Sequence, residues 1–405
     1  MKFQRRFITV IFSLILVLSL GFTAFAENSQ EHLYNNRDGL IAVSYRGDTE
    51  NYPENSIEAI LSAKELGADM VSVGVQKTKD LLILADDENI RNFCNSESES
   101  ISASYWDQDL ENCYLYDNSG KLTECKVASL YDALMVAEDI ILILDIAPED
   151  KDTVYDVVKY YNAIDRVIFR FKENSKDIVN WVKSKDTKPN VIGIYSGNII
   201  WNAISHIENL SEVCSIVQYQ SKNYFNVMYG TWVGDRFSAE GKARALAPAY
   251  DKELCGQRQD NASGWNELIE NGFSVIETNN IASLAEYTKR AEELNVSLKK
   301  LAEKAEKADL SVYSDVSADN LSKALKEANE TLQRGVSSVG ELENANSQLL
   351  LAMNRLNLSD GVESQKGALN ITAGKIIATV LVGAAILAGQ IYVHKMQQEK
   401  RRKRR

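Results

Sequence analysis

Between residues 31 and 293 the chain repeats one pattern eight times: a short apolar run, then an amphipathic stretch. The runs are Leu40–Ser44, Met70–Val75, Ile140–Ile146, Val167–Phe171, Val191–Tyr195, Ser215–Val217, Ala243–Ala247 and Ser274–Glu277. Runs of this length suit buried strands, and the stretches between them have helical spacing, as in Ile57, Ile60, Leu61 and Lys64. Strands alternating with helices predict a parallel α/β sheet. Eight units over this length predict a (β/α)8 TIM barrel. A doubly wound open sheet is the competing reading, because strand counting cannot tell a closed sheet from an open one.

The rest of the chain reads differently. Residues 297–357 carry three helical stripes. They are Leu298, Leu301, Ala305 and Ala308; Leu321, Ala324, Leu325, Ala328 and Leu332; and Leu342, Ala345, Leu349, Ala352 and Leu356. Ser338-Val339-Gly340-Glu341 reads as a capping box opening the third helix. A small three-helix bundle acting as a spacer is expected, with a free-standing helical linker as the alternative. Residues 358–372 are polar and read as a linker.

Both ends read as membrane signals. Residues 1–26 join Lys2, Arg5 and Arg6 to an apolar stretch and end in Ala24-Phe25-Ala26, the pattern of a cleaved secretory signal; an uncleaved anchor is the alternative. Residues 373–394 include 19 uncharged positions from Ile376 to His394. As a helix these span about 28 Å, enough to cross a bilayer. The basic tail 395–405 follows at once and predicts a cytoplasmic C-terminus with everything before the span outside the cell membrane. The signal carries +3 and the tail +6; removing both from the net charge of −12 leaves −21. An outer part that acidic argues against nucleic acid as a partner.

Cysteine and histidine are scarce. The five cysteines are Cys94, Cys113, Cys125, Cys214 and Cys255, and the odd number leaves at least one unpaired. Cys113 and Cys125 flank the turn signal Asn118-Ser119-Gly120 and are candidates to close a small loop. No C-x-x-C is present, which disfavours a cysteine metal site. The three histidines, His32, His206 and His394, lie far apart in sequence: before the first strand, in an amphipathic stretch, and at the end of the span. No G-x-x-x-x-G-K-[ST], H-E-x-x-H or G-x-S-x-G occurs.

The first barrel segment reads Val43-Ser44-Tyr45-Arg46-Gly47, then Pro53-Glu54-Asn55-Ser56, then Leu66-Gly67-Ala68-Asp69-Met70-Val71-Ser72-Val73-Gly74-Val75, then Thr78-Lys79-Asp80. This resembles the glycerophosphodiester phosphodiesterase family, with its A-H-R-G, P-E-N-T, L-G-A-D-x-I-E-x-D-V and T-K-D-G motifs in that order, followed by an H-D pair. Lys126-Val127-Ala128-Ser129-Leu130 resembles the family's I-P-T-L, and Leu144-Asp145-Ile146-Ala147 its acidic strand end. Leu254-Cys255-Gly256, Gly264-Trp265 and Asn271 to Asn279 resemble its C-terminal signature. Residues 297–357 resemble the helical module found in various architectures of bacterial surface proteins, chiefly through Leu310-Ser311-Val312-Tyr313-Ser314 and Leu321 to Leu332.

The resemblance implies a TIM barrel whose strand ends hold a divalent cation on carboxylates, grip phosphate with arginine and move protons with two histidines. This chain departs from that set. The first histidine position is Tyr45 and the second, aligned on Arg91, is Ala85. The two carboxylates of E-x-D are Ser72 and Gly74; Asp145 keeps the third position. Arg46, Glu54 and Asn55 survive as candidate phosphate-binding residues, and Arg170 at a strand end is a further anion candidate or else a surface ion pair. Asp86 and Asp87 are candidate substitutes for the lost metal ligands, or else solvated loop acids. Tyr219, Tyr224, Phe225, Tyr229 and Trp232 are candidates to line a pocket or to pack a core.

The expectation is a membrane-anchored outer domain of this fold that has lost catalysis and binds a ligand or partner. A phosphodiester, glycerophosphate or surface polymer is the expected ligand, with no cofactor. The alternatives are an active phosphoric diester hydrolase with a rebuilt Mg2+ or Ca2+ site, and a structural or adhesive surface protein.

Overall fold

The computed structural model describes residues 39–196, 205–206, 208–220, 244–247 and 260–357. The signal at 1–26, the linker, the span, the basic tail, Cys255, and Tyr224, Phe225, Tyr229 and Trp232 lie outside the described residues. Among the described residues, no helix is long and apolar enough to cross a membrane.

The strands are β1 (Ile41–Tyr45), β2 (Met70–Lys77), β3 (Leu82–Leu84), β4 (Tyr114–Tyr116), β5 (Leu122–Lys126), β6 (Ile141–Ile146), β7 (Val167–Phe171), β8 (Asn190–Ser196), β9 (Ile216–Gln220), β10 (Arg244–Ala247) and β11 (Phe273–Thr278). In space they run β1-β11-β10-β9-β8-β7-β6-β2-β3. A further parallel pairing of β1 with β2, Val43 opposite Met70, closes the ring. The open sheet is thereby excluded: eight parallel strands form a closed (β/α)8 barrel. Each of the eight apolar runs becomes a barrel strand, with ends shifted by at most three residues.

Alternation along each strand decides what faces the lumen. Ile41 and Val43 of β1, Met70 of β2, Ile141 and Ile143 of β6, Ile168, Ile192, Ile216, Leu246 and Val275 form one buried cluster, the barrel floor. Burying such a side chain contributes about 1.5–3 kcal/mol. Two residues further along the same strands, the inward positions become Tyr45, Ser72 and then Gly74, Asp145, Arg170, Gln218 and Glu277. The lumen therefore changes from oil to charge at the C-terminal ends of the strands.

Between β3 and β6 the chain makes an excursion that the periodicity did not predict. Short turns at Ile90–Asn92, Ile101–Ala103 and Trp106–Leu110 lead into the β4–β5 hairpin. It has its own apolar cluster: Ile83, Ala85, Ile90, Cys94, Ile101, Leu110, Leu115, Cys125 and Val127. Cys94, Cys113, Cys125 and Cys214 carry free thiols, which corrects the expected Cys113–Cys125 closure. The hairpin sets Tyr114 opposite Lys126, so Cys113 falls beyond the position facing Cys125. The thiol that Cys113 meets is that of Cys94.

The described residues divide into two compact units: those up to Glu293 with Arg334–Glu341, and Leu294–Gln333 with those from Leu342 onward. The helices after the barrel strands are Ile281–Glu306, Asp315–Gln333 and Val339–Asn354. The capping box forms: Glu341 N–H donates to Ser338 Oγ (3.0 Å), and Ser338 N–H to the Glu341 carboxylate (2.9 Å). Within the second unit, Leu298, Ala302, Ala305, Leu321, Ala328, Leu342, Ala345, Leu349 and Met353 are buried. Leu301 and Ala308 are only half-buried, so the first stripe runs through Ala302 instead. Asn346 Nδ2 donates to the carbonyls of Leu294 (3.0 Å) and Leu342 (2.8 Å).

Candidate functional site

The loop after β1 is shaped by local strain. Arg46 has φ 59° and Asn55 φ 60°, left-handed values that are uncommon for side chains of this kind. Several contacts hold them there. Asn55 N–H donates to the Arg46 carbonyl (3.0 Å), and Gly74 N–H donates to Asn55 Oδ1 (2.9 Å). Ser56 caps the helix Ile57–Glu65 by accepting from Ala59 N–H (3.0 Å). Gly47, at φ 89°, lies so close to Ala59 that any Cβ would collide with it. The Arg46-Gly47 and Glu54-Asn55-Ser56 segments thus act as one clamp between β1, β2 and the helix.

Arg46 points its guanidinium at two acids. Nη1 donates to Glu54 Oε2 (2.6 Å), and Nη2 pairs with Asp86. Its Cζ stacks 4.5 Å from the centre of the Tyr45 ring. The whole group is partly open to solvent, with side-chain exposures of 19% for Arg46, 36% for Glu54 and 27% for Asp86.

A second arginine sits deeper. Arg170 is buried and binds Asp145 through both Nε and Nη2 (the latter at 2.6 Å). The same Nη2 lies 2.9 Å from Glu277 Oε1. Asp145 and Arg170 are register neighbours on β6 and β7. Glu277 is on β11, four strands from β7 around the ring in either direction, so the Arg170–Glu277 ion pair crosses the lumen. Arg170 and Glu277 side chains are both 0% exposed, which rules out a surface ion pair at Arg170.

The proton-transfer positions carry no base for neutral pH. Burial pushes the Tyr45 phenol well above its ordinary value, with Arg46 opposing and Glu277 and Asp145 adding to the rise. Ala85 is buried in the apolar cluster of the excursion. Burial also raises the Asp145 carboxyl above the usual range against the pull of Arg170; Glu277 adds to the rise, because two acids share that arginine.

The metal positions do not fit a divalent cation. Ser72 is fully buried, its hydroxyl 3.5 Å from the Ser44 carbonyl. Gly74 offers no donor, and a Cβ built there would overlap the Ala85 carbonyl and the Asp86 carboxylate. Asp145 is held by Arg170 and Asp86 by Arg46. Asp87 caps a turn, accepting from Asn89 N–H (2.9 Å) and from Asn92 Nδ2. Among the described residues, no group of three or more His, Cys, Asp or Glu side chains is placed to hold a metal ion. His206 lies within 2.7 Å of Ser175 Oγ, in the helical setting its sequence suggests, and burial lowers its pKa.

Sequence reasoning did not single out Glu277 or Gln218, both fully buried on inward rows. The signal was available for Glu277. In Phe273–Thr278, period-two alternation points Val275 and Glu277 the same way, which puts a carboxylate in an apolar lumen.

The fold defines a class: a closed (β/α)8 barrel whose C-terminal strand ends carry paired arginines and carboxylates. Residues 46–223 match the Glycerophosphoryl diester phosphodiesterase family. A glycerophosphodiester phosphodiesterase of Caldanaerobacter subterraneus subsp. tengcongensis is 30% identical over 141 residues, 32% of this chain and 56% of that protein. The chain thus spans just over half the length of that curated relative. The fold is similar to that of a glycerophosphoryl diester phosphodiesterase from Parabacteroides distasonis, with TM-score 0.50, 17% identity and coverage of 63% of this chain and 88% of that one. An Oleispira antarctica phosphodiesterase, solved with the product sn-glycerol-3-phosphate, has TM-score 0.46 and 14% identity, covering 61% and 95%.

Proposed function

We propose that this chain is a membrane-anchored, extracytoplasmic protein whose barrel binds a ligand or partner and no longer hydrolyses phosphodiesters. The observation that carries this reading is the self-paired mouth, in which each arginine is already held by two carboxylates. Hydrolysis in this family, as the sequence resemblance implies it, needs carboxylates free to bind a cation and groups free to move protons. Tyr45 and Ala85 supply no proton transfer, which forfeits about 10²–10⁴-fold in rate for each lost group. Ser72 and Gly74 remove the charge that would hold Mg2+ or Ca2+, so no cofactor is proposed.

Arg46 is the residue placed to meet an anion. It lies at the open rim, and a phosphate or glycerophosphate group entering there would compete with Glu54 and Asp86 for its donors. The compartment follows from the apolar ends: a secretory signal at 1–26, a span at 373–394 and a basic cytoplasmic tail at 395–405. The helical region 297–357 would then act as a spacer that holds the barrel off the membrane.

The test uses the full-length chain purified in detergent, with glycerophosphocholine and millimolar Mg2+ or Ca2+. The expected result is no release of glycerol phosphate, with glycerol phosphate binding in calorimetry that is weakened in Arg46→Ala. Steady release of glycerol phosphate that disappears in Arg46→Ala would overturn the reading. Protease treatment of intact cells tests the topology: the barrel should be degraded and the tail protected.

A further inference from the structure

We infer that Arg170 is a built-in replacement for a metal ion: its guanidinium supplies, from within the chain, the positive charge that the carboxylates of the barrel mouth would otherwise take from a divalent cation. The inference rests on the proposed loss of metal-dependent hydrolysis and says what took the cation's place.

Three observations carry it. The first is position. Asp145 holds the one acidic metal position that the sequence keeps, and Arg170 engages both of its oxygens, so a cation chelated by that carboxylate would have to displace the guanidinium. The second is reach. From the same nitrogen Arg170 contacts Glu277 on the opposite side of the lumen, so one guanidinium joins two carboxylates that face each other across the barrel. A divalent cation does the same work by bridging carboxylate oxygens. The third is seclusion. Both Arg170 and Glu277 side chains are sealed from water. Glu277, with no exposure, and Asp145, 25% exposed, both face that sealed guanidinium, and a resident positive charge offsets the cost of burying them. An arginine, charged at any physiological pH, meets that need without depending on metal supply.

The neighbouring positions agree. Gly74 lies in register with Asp145 on β2, and the space a side chain would fill there is taken by the Ala85 carbonyl and the Asp86 carboxylate. Of the two oxygens that fill this space, the Asp86 carboxylate is itself paired with Arg46. The compensating charge comes from β7, on the other side of Asp145.

The experiment is thermal melting of the full-length chain with and without Ca2+ or Mg2+, beside Arg170→Ala and Arg170→Gln. The wild-type protein should show no shift at millimolar cation. Arg170→Ala, with two carboxylates now facing an empty lumen, should gain a rise in Tm of about 3–5 °C at roughly ten times its cation Kd. A second substitution, Asp145→Asn, should abolish that rise. Methylguanidinium should stabilise Arg170→Ala in the same way. Arg170→Gln, closer in volume and able to donate hydrogen bonds, provides the folded variant if alanine does not. A cation-dependent rise already present in the wild type and lost in Asp145→Asn would overturn the inference. So would Arg170 variants that fold and respond to neither cation nor methylguanidinium. Hydrolysis that persists in excess chelator would overturn the binding-only reading while agreeing with the absence of a metal.

Discussion

Two arginines in this barrel have the same company and opposite surroundings. Arg46 and Arg170 each face two carboxylates, yet Arg46 sits at a wet rim with neighbours about a third exposed, and Arg170 is sealed in the lumen. Coulomb attraction at the rim is weakened by water, because each of the three groups keeps about a fifth to a third of its side chain in solvent. In the lumen the attraction is strong, but Arg170 and Glu277 have lost their hydration and only Asp145 keeps some, so removing Arg170 leaves Glu277 stranded. Similar ion-pair drawings thus mean different things. The rim cluster is available to a ligand, and the lumen cluster is part of the frame.

The largest test of that contrast is Arg170→Ala. In the absence of added cation it should lose about 3–5 kcal/mol, seen as a lower midpoint in urea unfolding. A loss below about 1 kcal/mol would erase the distinction between the two sites. Next is Tyr45, whose ring lies under Arg46 and whose phenol also feels Glu277 and Asp145. Its folded pKa lies above its unfolded value, so the folded state keeps a proton that the unfolded state has lost once pH passes about 10. Stability should therefore fall with rising pH in that range, by at most about 1.4 kcal/mol per unit. Tyr45→Phe should remove that slope in alkaline melting curves.

Arg46→Gly should change stability by less than about 1 kcal/mol, because a modest ion pair is exchanged for a residue at ease at φ 59°. What remains of its contribution should vanish in 1 M NaCl, where the screening length is about 3 Å, whereas the Arg170 effect should persist. The smallest effect repeats the wet-versus-sealed contrast in thiols. Burial pushes Cys94 and Cys214 up to about 12, while Cys113 is only half-buried. Native alkylation near pH 8, followed by mass spectrometry, should mark Cys113 well before the other two.

The barrel was legible because its strands are short, apolar and, apart from the gap between β2 and β6, evenly spaced, and closure adds only the β1–β2 pairing to what the eight runs imply. The excursion between β3 and β6 was not. Its turns and hairpin follow no period, and its core is assembled from single apolar residues scattered from Ile83 to Val127. At the site, Arg46, Glu54 and Asn55 could be read because they are near neighbours in sequence that fold into one local clamp. Arg170 read as an anion contact or a surface pair, because what fixes its role is Glu277, on a strand far along the chain that only barrel closure brings opposite. Local patterns report the face a residue occupies; the identity of the residue across the lumen is a property of the closed ring.

Gly74 gives the mouth a direction in time. Restoring a carboxylate there in one step would drive it into the Ala85 backbone and the Asp86 side chain, so the change fails for steric reasons before any cation arrives. The segment carrying Asp86 would have to withdraw first, which would release Arg46 from one of its two partners. Any path back to a metal-binding barrel therefore begins with a step that brings no gain of its own. On the binding-only reading proposed above, such a barrel drifts toward new ligands more easily than toward metal-dependent hydrolysis.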